Sequence, residues 1–95
     1  MDSMELLAVI TENARIQATV DALENGWRLT GEEPATPLVT NDSWGYRGLL
    51  FTFPAEREGG PTDEVLVVEK WVPVAAELLA QLEADGVVGY DTTPD

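Results

Sequence analysis

The chain contains neither cysteine nor histidine. Without cysteine there is no disulfide framework, no thiol nucleophile and no thiolate metal site. Without histidine the usual proton shuttle at neutral pH and the commonest zinc ligand are both missing. Serine occurs only as Ser3 and Ser43, and neither sits in a Gly-x-Ser-x-Gly elbow. Gly59-Gly60-Pro61 has neither the glycine spacing nor the lysine of a phosphate-binding loop. Glu56, Glu58 and Asp63 are near enough in sequence to be weighed as a magnesium or calcium trio, but they lack EF-hand spacing. The expectation is a non-enzymatic chain with no catalytic residues, cofactor or metal. The acidic N-terminus carries no secretory signal, and its longest apolar run, Leu6 to Ile10, is far short of the roughly 20 residues of a membrane span. A cytoplasmic location away from membranes is expected.

Bases are scarce. Five of them, with Lys70 the only lysine, face 18 acids, for a formal net charge of −13. Such a field repels nucleic acid and anionic membranes and attracts basic surfaces. Adaptation to high salt is a second explanation of the same numbers, because surface carboxylates keep a chain soluble there. Ninety-five residues fit one domain, and a chain of this size hides only about 60–65% of its unfolded surface.

The run Val65-Leu66-Val67-Val68 reads as a strand buried on both faces, at the start of a unit extending from Glu64. Pro73 opens a helix whose apolar stripe is Ala75, Leu78, Leu79 and Leu82, and Asp85-Gly86 stops it. Val87 to Tyr90 returns as a strand. Superposing Glu5 on Glu64 repeats the pattern. Leu6 to Val9 fall on Val65 to Val68, Ile16, Thr19, Val20 and Leu23 fall on the helical stripe, and Gly26 falls on Gly86 after one extra residue. This predicts a strand over Met4–Ile10, with a short helix as its competitor, then a helix from Glu12 to Asn25 and a strand over Trp27–Thr30. Within 14–22, apolar and polar residues also alternate with period two, so a hairpin turning at Asn25-Gly26 competes with the helix. The fold class expected is α+β: a ferredoxin-like split β-α-β pseudo-repeat (4–30 and 64–90) with both helices on one face of a mixed sheet. Residues 31–63 are an insertion. They bring at least one strand, Trp44 to Phe53, ended by Pro54, and Leu38 to Thr40 pair briefly at an edge. Residues 91–95 form a tail.

Leu49, Phe51 and Phe53 point to one side of the inserted strand and Trp44, Tyr46, Leu50 and Thr52 to the other. Gly45 and Gly48 weaken the start of that strand and mark a bulge or a close backbone approach. Trp44 and Tyr46, beside Arg47, belong to the residue types that dominate binding hot spots, although packing on the uncovered sheet face accounts for them equally well. That face needs a cover, either from the insertion or from a second copy of the chain docked through the sheet. Glu32, Glu33, Glu56, Glu58 and Asp63 lie in or beside loops, where they stay ionised. With Trp44 and Tyr46 they form the expected partner-binding set.

The run Leu6 to Leu29, with Thr11-Glu12-Asn13 at the turn, resembles ACT-type regulatory domains, although the turn's usual glycine is missing. That resemblance implies a small-ligand sensor. Val67 to Asp91, with Val72-Pro73 before a helix and Gly89-Tyr90-Asp91 after it, resembles acidic inhibitors of ribonuclease E, which also have ferredoxin-like folds. The Gly-Trp that follows Tyr-Asp in those inhibitors is absent here. Composition alone is similar to phage-type inhibitors of nucleic-acid machinery, such as anti-CRISPR and anti-restriction proteins. The leading expectation is an acidic binding protein that occupies a basic, nucleic-acid-binding site on a protein partner as a nucleic-acid mimic, with no direct contact to nucleic acid. The alternatives are an ACT-like ligand sensor and a halophile-adapted interaction domain.

Overall fold

The computed structural model describes residues 1–59 and 65–90. Its first element is a single 22-residue helix, α1 (Ser3–Glu24). The strand expected over Met4–Ile10 is therefore corrected to helix, and no β-α-β unit occupies 4–30. Asp2 caps the start, its carboxylate accepting the Glu5 N–H at 2.8 Å, and no glycine or proline interrupts the chain before Gly26. Thr11, between the expected strand and the expected helix, instead returns its hydroxyl to the Leu7 carbonyl at 2.7 Å, and the helix runs through it. The alternation over 14–22 is also helical. Ala14, Ala18 and Ala22 are buried at spacing four, whereas Ile16, Val20 and Leu23 face solvent, the reverse of the expected stripe.

Four strands follow: β1 (Trp27–Leu29), β2 (Leu38–Asn41), β3 (Arg47–Arg57) and β4 (Leu66–Pro73); then come α2 (Ala76–Ala84) and β5 (Gly89–Tyr90). The architecture is α+β, two helices with a mixed five-strand sheet. β3 is its axis. β4 pairs antiparallel along it from Gly48–Pro73 to Ala55–Leu66. β2 pairs antiparallel with residues 47–50 of β3, and β1 with residues 55–57. β5 adds to β2 in parallel. In the second half β4-α2-β5 does form a β-α-β crossover, with β3 and β2 between its strands. Pro73, however, closes β4 instead of opening the helix, and Leu78 of the expected stripe is exposed.

Pro54 does not end β3. The Pro54 carbonyl accepts the Thr30 N–H at 3.1 Å. The missing proline N–H falls on that same side, so only the reciprocal bond to Thr30 is lost where β1 ends, and the pairing with β4 on the other side continues.

Leu49, Phe51, Phe53 and Ala55 point to one face of β3 and are buried with Val39, Val68, Val88, Leu79, Leu82 and the α1 alanines. The Phe51 and Phe53 rings stack at 5.9 Å, and the Arg15 guanidinium lies 5.4 Å above the Phe53 ring. Alanine at the α1 contact lets the helix approach these large rings closely. Ser3, also buried, donates its hydroxyl to the Asp85 carboxylate and so ties α1 to the end of α2.

The expectation for Val65 to Val68 is corrected. Val65 is 93% exposed and Val67 41%, and only Val68 is buried. No described helix lies on the second face of the sheet, and the side of β4 away from β3 pairs with no described strand. Gly26 and Gly86 have φ of 75° and 67°, the left-handed stops expected after each helix.

Candidate functional site

The β2–β3 turn is built by one aspartate. The Asp42 Oδ1 accepts the backbone N–H of Trp44 at 2.9 Å and of Tyr46 at 2.8 Å. The Asp42 N–H donates to the Tyr46 carbonyl, and the Asp42 carbonyl accepts from Gly45. Gly45 takes φ of 88°, a conformation open to glycine and strained for other residues. These bonds use the turn's polar groups internally and leave the aromatic rings outside: Trp44 is 84% exposed and Tyr46 68%. The two are therefore not core packing on the sheet, because they lie beyond the strand in a tight tip. Beside the tip, Tyr46, Arg47, Pro73, Val74 and Ala75 line a shallow hollow of about 480 Å³. Arg47 is held there by Glu83 on α2 at 3.0 Å.

The expected acidic residues do not gather around this tip. Glu56 lies near the far end of β3 and Glu58 just beyond it, and β3 has 11 residues. At about 3.3 Å per residue, the nine steps from Arg47, beside the tip, to Glu56 span roughly 30 Å. Glu56 is also engaged, pairing with Arg28 of β1 at 2.7 Å. Glu32 and Glu33 occupy a third place, the exposed connection between β1 and β2. Asp63 lies outside the described residues. The expected set is thus one aromatic tip and two distant acidic positions rather than a single patch.

Glu33 borders a hollow of about 330 Å³ along α1, with Met4, Leu7, Thr11 and Arg15. This lies where an ACT-like ligand turn would stand, but Thr11 and Glu12 are mid-helix. Their backbone N–H groups belong to the helix ladder and are not available to cradle a ligand.

The bases are all engaged. Arg15 pairs with Glu12, Arg28 with Glu56, Arg47 with Glu83 and Lys70 with Asp21, and Arg57 also has a partner. Lys70 joins β4 to α1 in this way, at 3.0 Å. The Asp2 carboxyl is held below its ordinary range, chiefly by the Glu5 N–H it accepts. What the surface offers a partner is an excess of carboxylates and one aromatic tip, and the tip carried a sequence signal only in its residue types. Comparison with protein-family models, curated proteins and solved structures finds no match.

Proposed function

We propose that this chain is a non-enzymatic acidic binding protein that occupies a basic, nucleic-acid-binding surface on a protein partner, with the Trp44–Tyr46 tip as its anchor. The observation that carries this reading is the tip itself. A tryptophan 84% exposed on a turn fixed by Asp42 leaves a large apolar area in water, and only a partner removes it. The turn is already ordered, so docking costs little conformational entropy. Charge sets the chemistry of the partner: the net −13, with every base engaged, draws a positively charged surface and speeds encounter with it. Such surfaces ordinarily hold nucleic acid.

The test uses the whole chain as bait in lysate at low and high salt, followed by competition with a labelled duplex for each captured protein. Wild type is expected to retain a basic protein at low salt, release it at high salt and displace the duplex from it. Trp44→Ala with Tyr46→Ala should lose the capture through the anchor. Glu32→Lys, Glu33→Lys and Glu58→Lys together should lose it through the field. Glu56 is left out because its reversal would set two cations together beside Arg28. Capture that survives both variant sets, or that never displaces the duplex, refutes the reading.

A further inference from the structure

Helix α1 is apolar on two opposite faces. The alanine face meets the sheet; Ile16 and Val20 each lie two residues from Ala18, so at about 100° per residue they point some 160° away from it. Val9, Ile16, Val20 and Leu23 are 49%, 57%, 51% and 58% exposed. With Asn13 between them, these residues fall at 9, 13, 16, 20 and 23, the alternating four-and-three spacing of a coiled-coil seam. An apolar stripe along a helix ordinarily faces another packed surface.

We infer that this seam pairs with the same seam of a second copy of the chain, the two α1 helices parallel and in register. Two features select a second copy in that orientation. Parallel pairing sets Asn13 against the other copy's Asn13, so each amide both donates and accepts. Antiparallel pairing would face Asn13 with an aliphatic side chain and leave its amide unpaired. Parallel pairing also sets Glu12 across from Gln17 and Thr19 across from Glu24, so no two carboxylates oppose each other, even in a chain of net charge −13. The two sheets lie on the outer sides of the helix pair. Most of their charge is then separated by more than the roughly 8 Å screening length at physiological salt.

Val9 to Leu23 spans about 21 Å of helix, less than the roughly 800 Å² per partner of a standard interface needs. The dimer therefore exchanges with monomer, with a dissociation constant on the order of 0.1–1 mM. Each protomer keeps its own core, with Leu49, Phe51 and Phe53 buried inside it.

Sedimentation equilibrium of the full chain, from about 20 µM to about 2 mM, should show monomer–dimer exchange. Salt should tighten it about threefold or more by screening the like charges, the opposite of its effect on a basic partner. Ile16→Glu should abolish association while leaving the helical circular dichroism unchanged, because the site is on the surface. The cysteine-free background allows a test of orientation: under mild oxidation Asn13→Cys should cross-link to itself, whereas Glu32→Cys should not. A wild type that stays monomeric at the highest concentration, an Ile16→Glu variant that associates as before, or an Asn13→Cys variant no faster to cross-link than the control each overturns the inference. Trp44→Ala should leave the dimer intact, so failure here is separable from failure at the hairpin tip.

Discussion

Gly48 is where the smallest substitution meets the hardest obstacle. It sits in β3 opposite Pro73, and the Trp71 ring lies across it. A Cβ placed there would stand 2.2 Å from the Val72 carbonyl oxygen and 2.7 and 2.8 Å from the Trp71 Cζ2 and Cε2 atoms. Ordinary carbon contacts begin near 3.5 Å, so the β3–β4 pair must open by about an ångström. The ring can swing, but Val72 is backbone in the neighbouring strand and cannot yield without disturbing the ladder. Overpacking costs about 1–3 kcal/mol, and one strained ladder bond adds roughly 1 kcal/mol. Gly48→Ala should therefore destabilise by about 3 kcal/mol, against a total of about 5–14 kcal/mol for a chain of this length. In a domain this size that corresponds to a melting temperature lower by about 12–24 °C.

The sign is informative, because strand propensity alone predicts the opposite. Replacing glycine by alanine in an unobstructed strand gains about 0.5–1 kcal/mol. Urea unfolding followed by tryptophan fluorescence and circular dichroism should show a lower midpoint with an unchanged slope. Repeating the substitution in a Trp71→Ala background separates ring from carbonyl, and the cost should fall by more than about 1 kcal/mol without vanishing. A neutral or stabilising Gly48→Ala would refute the close approach.

Other substitutions test the remaining joints of the fold. Leu82→Ala removes a fully buried side chain of α2 and should cost about 2–5 kcal/mol in the same urea assay, while Leu23→Ala on the exposed face of α1 should cost well under half of that. Gly86 has φ of +67° with open space around it. Gly86→Val should therefore lose more than about 1 kcal/mol through backbone strain alone, and Gly86→Asn, which tolerates that conformation, much less. For Asp2 the folded carboxyl titrates below its ordinary value of 3.8 because it accepts the Glu5 N–H. Its contribution is complete above that ordinary value and is lost as pH falls through the lowered one. The protection of the Glu5 amide, relative to its intrinsic exchange rate at each pH, should fall over that acid range in wild type and stay level in Asp2→Asn, which still caps the helix.

Much of this molecule was legible from local chemistry. The α2 stop at Gly86, the strand Leu49-Phe53 with its two phenylalanines, and the buried pair Leu79 and Leu82 follow from turn residues and side-chain period, which act within a few residues. The excess of acid over base is likewise a property of composition. Tertiary structure decided the rest. Whether Met4–Ile10 became strand or helix depended on its continuity with an unbroken helical stretch capped by Asp2, since a seven-residue window of Met, Glu, Leu and Val suits either state. The inward face of α1 was set by what it packs against. The sheet offers Phe51 and Phe53, large rings that only alanine can approach closely, so the bulkier Ile16, Val20 and Leu23 turned outward. In isolation those larger residues read as the core face. Val65 to Val68 carries the composition of a strand buried on both faces, but Val65 and Val67 point away from the face that packs on the core, so half of that run faces water. The expected binding set divided for the same reason. Residues close in sequence to a long strand lie at its opposite ends once it is extended, and neither period nor composition encodes that distance.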